Sequence, residues 1–256
     1  MHVQHAALLF FAAVLGGMLN SVAGGGSFIA FPALLFTGMS AIPANATNTV
    51  ALWPGTVASI FAYRRELANR KVWKLLGPLF GVTFFGSIAG ALLLLKTPEK
   101  TFVRLIPWLL GSATALFAFG ARLTAPLRNK LERHASVLAV IGATALQLVV
   151  SVYIGYFGAG AGILMLALLS IMGMENIHTM NAFKSTLGAC ANGVAVITFI
   201  VAGKVMWPQA LLMVAGAGMG GYGGAWLAQK IDPKRVRWVV IATGCAMTVY
   251  FAWRYG

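Results

Sequence analysis

Apolar stretches of bilayer-spanning length recur along the whole chain, and this feature restricts the possible folds more than any other. Helices of about 17–25 apolar residues cross the hydrocarbon core of a membrane. Only 9% of the residues are charged and 59% are hydrophobic, whereas soluble domains carry about 25% charged residues. The sequence therefore predicts an all-α polytopic membrane protein, with residues 1–256 in a single transmembrane domain.

The net charge of +14 arises mainly from basic residues grouped between apolar stretches. Short cytoplasmic loops of membrane proteins show this enrichment, so nucleic acid is not an expected partner. The two cysteines, Cys190 and Cys245, lie in apolar stretches and predict packing. No metal site or cofactor is expected. The basic clusters are Arg64, Arg65, Arg70, Lys71 and Lys74; Arg122, Arg128, Lys130 and Arg133; and Lys230, Lys234, Arg235 and Arg237.

The two halves of the chain resemble each other. "AGGGSFIAFPALLFTGMSAIPANATNTV" (23–50) aligns with "AGAGILMLALLSIMGMENIHTMNAFKST" (159–186). We therefore divide the chain into a first repeat (1–121), a basic cytoplasmic linker (122–135) and a second repeat (136–256). The copy within the second half disfavours a cleaved signal peptide at the start of the first half.

Each repeat contains five apolar elements, and the second element of each is short. About eleven residues rise only about 17 Å, against a hydrocarbon core of about 30 Å. These elements therefore complete a broken span or re-enter the membrane. If they cross, the repeats are inverted and all three basic clusters share one side, which is the favoured arrangement; otherwise the repeats are parallel. The elements are 5–21, 27–37, 46–63, 75–95 and 103–121, then 136–156, 162–173, 182–202, 207–229 and 237–254.

All acidic residues lie in loops or at the ends of spans. Carboxylates within spans form proton relays and cation sites, so their absence disfavours cation channels and intramembrane proteases. A cation could still be held by backbone carbonyls. Four scattered histidines and two apolar cysteines offer no catalytic pair, so no enzyme is expected. The acidic residues are Glu66, Glu99, Glu132, Glu175 and Asp232.

The glycine-rich stretches "AGGGS" and "FGAGAG" each precede a short apolar element. Helix N-termini present unpaired N–H groups with partial positive charge, and glycines let a ligand approach the backbone. Two such N-termini could hold an anion near the middle of the membrane. Tight helix packing is the alternative. The predicted ligand-binding residues here are Gly24, Gly25, Gly26, Ser27, Gly158, Gly160 and Gly162.

The stretches "ANATNT" and "MNAFKST" open the third element of each repeat. Their polar side chains either cap these helices or point into a cavity as hydrogen-bond donors. Lys184 occupies the position of Asn48 in the first repeat, and it either snorkels to the interface or provides the counter-charge for an anionic substrate. The candidate residues are Asn45, Asn48, Thr49, Asn181, Lys184, Ser185 and Thr186.

Other polar and aromatic residues have simpler interpretations. Asn20, Gln147 and Asn192 are isolated in apolar surroundings, which predicts hydrogen bonds between helices. Trp53 lies near the expected end of a span, where aromatic residues form a belt at the membrane surface.

The duplicated pattern of a glycine-rich break, a short apolar helix and a span led by Asn and Thr resembles the TauE/SafE sulfite exporter family. The most similar stretches are "GGGSFIAFPALLFTGMSAIPANATNTVAL" and "GYFGAGAGILMLALLSIMGMENIHTMNAFKST". Two departures are Ala161 where the first repeat has Gly25, and Leu168 where it has Pro32. The resemblance implies transport of small sulfur-containing anions, such as sulfite or sulfonates, across the bacterial inner membrane.

The expected function is therefore a transporter of small anions, with export as the expected direction because the membrane potential drives anions outward. An anion channel and a structural membrane protein without transport activity are the alternatives. Expected partners are the anionic substrate and membrane lipids, and self-association into a homo-oligomer is left open.

Overall fold

The computed structural model describes residues 3–67, 70–131, 137–172, 174, 176–228 and 233–255. Within these ranges all regular secondary structure is helical, as predicted. A four-residue helix, α4, is the one addition to the ten expected elements. The helices are α1 (Val3–Ala23), α2 (Ser27–Phe36), α3 (Ala41–Ala62), α4 (Arg64–Leu67), α5 (Arg70–Lys96), α6 (Glu99–Leu131), α7 (Val137–Tyr156), α8 (Ala161–Ile171), α9 (Ile177–Val201), α10 (Trp207–Ala228) and α11 (Pro233–Tyr255).

Three described helices contain an apolar window long enough to cross a bilayer by length and composition. These windows are Val3–Asn20, Leu79–Lys96 and Thr179–Val201. A helix suits this environment because it satisfies its backbone N–H and C=O groups internally. Large apolar side chains such as Phe11 and Trp108 are exposed on the outer surface, as they are where a protein faces lipid. The chain is thus a multi-pass membrane protein.

Two helices are too short to cross the membrane alone. α2 has 10 residues and α8 has 11, so each extends only about 15–17 Å. Gly24 and Gly158, both with φ of 73°, begin the breaks before them. This left-handed conformation costs other residues about 1–2 kcal/mol, which explains the glycines. The predicted short helices after glycine-rich breaks are confirmed.

The helices of each half pack mainly against those of the other half. α1 packs along α10, and α7 packs along α5. A Cβ added at Gly220 would collide with the carbonyl oxygen of Val14, and one at Gly90 would collide with that of Val152. Small residues let helix backbones approach in this way. Close packing of helices therefore explains the glycines at 90 and 220.

A hydrogen-bonded cluster fixes the contact between α5 and α7. Gln147 on α7 donates through Nε2 to Thr83 Oγ1 on α5 at 2.7 Å. Both side chains are buried. The predicted role of Gln147 in a hydrogen bond between helices is confirmed.

Several helix boundaries differ from the sequence expectation by four residues or more, and the end of α6 and the start of α3 are two of them. α6 continues to Leu131, so residues 122–131 of the expected linker are helical, while 132–136 lie outside the described residues. α3 begins at Ala41 rather than at residue 46, because Glu99 accepts hydrogen bonds from the backbone N–H groups of Ala41 and Ile42. A carboxylate there satisfies unpaired donors and complements the helix dipole. The contact comes from α6, so local sequence does not predict it.

Candidate functional site

The two glycine-rich breaks meet inside the helical bundle. A Cβ added at Gly24 would lie 3.2 Å from the Cα atom of Gly162, at the start of α8. The hydroxyl of Tyr153 donates to the carbonyl oxygen of Ala159 at 2.6 Å and thereby holds the second break. The interrupted backbones of the two halves are therefore in direct contact.

Two small cavities lie beside this contact, with volumes of about 60 and 40 Å³. We name the larger one the lysine cavity because Lys184 lines it, together with Gly162 and Ser185. We name the smaller one the tryptophan cavity because Trp53 lines it, together with Ser27 and Thr49. Both are lined by the same five residues, so they adjoin. The shared residues are Asn20, Gly24, Thr56, Gly158 and Asn192.

Lys184 provides the positive charge of the site. It lies seven residues after Ile177, the first residue of α9, and thus about 10 Å along the helix. Its side chain is half-buried and lines the lysine cavity, where the described lining residues include no carboxylate. Within the described ranges no ion pair or hydrogen bond is recorded for it. An ammonium group that is partly shielded from bulk water attracts anions more strongly than an exposed one, so this location favours the counter-charge interpretation.

Half of the fourteen predicted site residues line a cavity. They are Gly24, Ser27, Thr49, Gly158, Gly162, Lys184 and Ser185. The hydroxyl of Thr49 donates to the carbonyl oxygen of Asn45 at 2.8 Å, so its proton is directed along its own helix. The cavities thus gather residues from both repeats, but not every hydroxyl offers a donor to a ligand.

The other seven predicted residues line neither cavity. Gly26 packs against Gly16 and Asn20, where a side chain would not fit, and Gly160 lies against Phe28. Thr186 donates to the carbonyl oxygen of Ala182 at 2.7 Å. Close packing explains the glycine at 26, and the left-handed φ of 70° explains the glycine at 160. The seven are Gly25, Gly26, Asn45, Asn48, Gly160, Asn181 and Thr186.

The interpretation of Asn45 and Asn48 as helix caps is wrong. Both lie past the first turn of α3, and each is only 1% exposed. Asn45 Nδ2 donates to the carbonyl oxygen of Tyr156 at 3.2 Å, and Asn48 Nδ2 donates to Ser27 Oγ at 3.0 Å. These asparagines therefore connect α3 to both breaks. They do not line the cavities themselves, but Asn48 binds Ser27, which does.

Trp53 is a lining residue that the sequence interpretation missed. Its indole Nε1 donates to the carbonyl oxygen of Ala189 on α9 at 2.9 Å, and its ring would lie 3.2 Å from a Cβ at Gly193. The expected position in an aromatic belt is therefore wrong. The repeat alignment could have indicated this contact between α3 and α9, because the offset that aligns residue 23 with residue 159 also aligns Trp53 with Ala189.

Asn20, Thr56 and Asn192 also line both cavities. Asn20 Nδ2 donates to Thr56 Oγ1 at 3.2 Å, which confirms its predicted hydrogen bond between helices. Asn192 instead donates to the carbonyl oxygen of Gly188 on its own helix at 3.0 Å, so the same prediction is wrong for it. Thr56 aligns with Asn192 in the repeat, so one polar position of each half reaches the site.

Two carboxylates hold the starts of the helices that carry the polar residues. Glu99 accepts from the first N–H groups of α3, and Glu66 accepts from the hydroxyl of Thr179 in the first turn of α9 at 3.0 Å. Both carboxylates are thus engaged away from the cavities. Among the described residues no three His, Cys, Asp or Glu side chains lie close enough to hold a metal ion.

Comparison with known proteins gives a consistent result over nearly the whole chain. Residues 9–251 match the family described as "Sulfite exporter TauE/SafE". The "Probable membrane transporter protein YfcA" of Escherichia coli K12 is 30% identical over 94% of this chain and 87% of its own length. A "Probable membrane transporter protein" of Haemophilus influenzae is 26% identical over 98% and 95% of the two chains. No solved structure matches.

Proposed function

We propose that this chain, which belongs to the sulfite exporter TauE/SafE family, transports small sulfur-containing anions, such as sulfite or organosulfonates. The chain is a membrane transporter rather than an enzyme. Its substrate would bind in the lysine and tryptophan cavities between the two glycine-rich breaks. The bacterial inner membrane is the proposed location.

The position of Lys184 carries this proposal. Its side chain lines a cavity in which no described residue is a carboxylate, so its positive charge is available to a ligand. An anion there gains the attraction of the ammonium group and the hydrogen bonds of nearby polar groups. A cation would meet repulsion from Lys184. The chemistry of the cavity thus favours an anionic substrate.

The size of the cavities supports a small substrate. At about 60 and 40 Å³, they have room for a group of a few non-hydrogen atoms, which suits sulfite or the sulfonate head of a larger anion. Alternating access requires the two halves to move relative to each other around this site. The shared lining residues come from both halves, so such a movement would change access to the substrate.

We propose export as the direction of transport. An inside-negative membrane potential drives an anion outward with about 2.3 kcal/mol per charge per 100 mV. Export therefore needs no coupling to a proton carrier. Among the lining residues that the structure describes, neither cavity has a carboxylate that could relay protons.

Flux into proteoliposomes tests the function. Sulfite, sulfate, thiosulfate and methanesulfonate would be offered to the purified protein, to Lys184→Ala and to protein-free vesicles. We expect saturable flux of a sulfur-containing anion, which Lys184→Ala abolishes or reduces strongly. Movement of a cation with no anion flux would overturn the proposal.

Lys204 offers a matched control for Lys184. It lies exposed between α9 and α10, so Lys204→Ala removes the same charge away from the cavities. We expect Lys204→Ala to retain anion flux. An equal loss in both variants would show that net charge, rather than the lysine cavity, controls transport.

A further inference from the structure

Two buried oxygen atoms on α3 have no hydrogen-bond donor within the described part of the chain. They are Asn45 Oδ1 and Asn48 Oδ1. Both side chains are 1% exposed, and their amide nitrogens already donate to Tyr156 O and Ser27 Oγ. A buried acceptor without a partner costs about 1–3 kcal/mol, so such a group calls for a water, an ion or a functional role.

The two oxygens can face the same ligand. Residues three apart on a helix lie on the same face, and both side chains point toward the ends of other helices. Asn45 reaches the last residue of α7, where carbonyl oxygens give the helix end a partial negative charge. Asn48 reaches Ser27, whose hydroxyl oxygen adds another acceptor. This chemistry attracts a cation and repels an anion.

The repeat indicates what this position does in the other half. Asn48 aligns with Lys184, so the second half has a fixed ammonium group where the first has an amide. Lys184 lines the lysine cavity, and Asn48 lies behind Ser27 in the wall of the tryptophan cavity. A free cation near Asn48 would therefore supply the first half with the charge that Lys184 supplies to the second.

We propose that Asn45 Oδ1 and Asn48 Oδ1 help bind a Na⁺ ion that acts as a counter-charge for the transported anion. The proposal rests on the anion transport proposed above. Oxygens of side chains and interrupted helix ends bind Na⁺ in other transporters built with broken helices. The cation stays beside the anion site as Lys184 does, so the proposal requires no movement of Na⁺ with the substrate.

Thermal unfolding in detergent tests the cation site without any anionic substrate. The melting temperature of the full chain would be measured in NaCl and in choline chloride at equal concentration. A ligand that binds only the folded state stabilises it by mass action, so we expect a higher melting temperature in NaCl. Asn48→Ala should remove this difference. Equal melting temperatures for the unsubstituted protein would indicate that water alone satisfies the two oxygens and would overturn the proposal.

Gln147 provides a matched control. Its Oε1 atom is also buried without a recorded donor, but it lies between α5 and α7 and away from both breaks. Gln147→Ala should therefore leave the effect of NaCl on the melting temperature unchanged. Loss of the effect in this variant would contradict the location of the site.

Sulfite binding in the same two salts tests the link to the anion. We expect sulfite to bind about tenfold more tightly in NaCl than in choline chloride, as for two coupled sites. Asn48→Lys should bind sulfite equally in both salts, because its ammonium group replaces the ion.

The outcomes separate this proposal from the function on which it rests. Sulfite binding that depends on Lys184 but is equal in the two salts would overturn the role of the cation as a counter-charge and retain the function. Absence of flux for every sulfur-containing anion would overturn the function, and the link between cation and anion with it.

Discussion

The two halves build the same break in the backbone but surround it with different charges. In the first half, Gly24 precedes α2 and the buried amide of Asn48 binds Ser27. In the second half, Gly158 precedes α8 and Lys184 lines a cavity. The shared glycine geometry creates the site, and the exchange of an amide for an ammonium group makes it asymmetric. On the proposed function, the two halves share one architecture while the second half alone provides a fixed charge for the substrate.

The glycines at the breaks give the largest expected loss of stability. Gly24→Ala and Gly158→Ala each force a side chain into a left-handed conformation, at about 1–2 kcal/mol, and add contacts with Gly162 Cα or Ile154 O. Gly38→Ala is the control, since Gly38 has φ of 84° but open space around a Cβ. Thermal unfolding should rank both break variants below Gly38→Ala. If Gly24→Ala or Gly158→Ala destabilised the protein less than Gly38→Ala does, the contact between the halves would not constrain that break.

The carboxylates that bind the starts of α3 and α9 should contribute different amounts to the free energy of unfolding. Glu99 accepts from two backbone N–H groups, so Glu99→Ala should cost about 2 kcal/mol through lost charged hydrogen bonds. Glu66 accepts from the hydroxyl of Thr179 near the protein surface, and Glu66→Ala should cost less than half as much. Unfolding in denaturing detergent compares the two variants. The reverse order would mean that the start of α9 is the more constrained one.

Trp53 should have a smaller effect on stability than Glu99. Trp53→Phe retains an aromatic ring but removes the hydrogen bond to Ala189 O, a loss of about 1 kcal/mol. Trp108→Phe is the control because Trp108 is 78% exposed on the outer surface. The melting temperature and the anion flux should both fall more for Trp53→Phe than for Trp108→Phe. Equal results would contradict a role for Trp53 in shaping the tryptophan cavity.

Local sequence patterns predict the helices of this protein well. Apolar length predicts ten elements, and the glycines before α2 and α8 predict the two breaks. The start of α3 could not be predicted, because the carboxylate that stabilises it belongs to Glu99 on α6. Local sequence patterns cannot predict helix boundaries that depend on contacts with residues distant in the chain.

The sequence predicts the candidate site only in part, because tertiary packing also determines where its side chains point. Residue type and repeat alignment indicate Gly24, Gly158 and Lys184, all of which line a cavity. They do not reveal that Asn48 turns toward Ser27 or that Trp53 turns toward Ala189. Those directions depend on how α3 packs against the breaks and against α9, which is a property of the assembled fold.

The affinity for sulfite is the most direct test of the lysine cavity as an anion site. Equilibrium binding to the purified chain would compare Lys184→Ala, Lys184→Arg and Lys204→Ala. Loss of one partner of a buried charge pair costs about 2 kcal/mol or more, so Lys184→Ala should bind sulfite about thirtyfold more weakly or worse. Lys184→Arg should retain most of the affinity, and Lys204→Ala should retain all of it. Unchanged sulfite affinity in a folded Lys184→Ala protein would contradict the account.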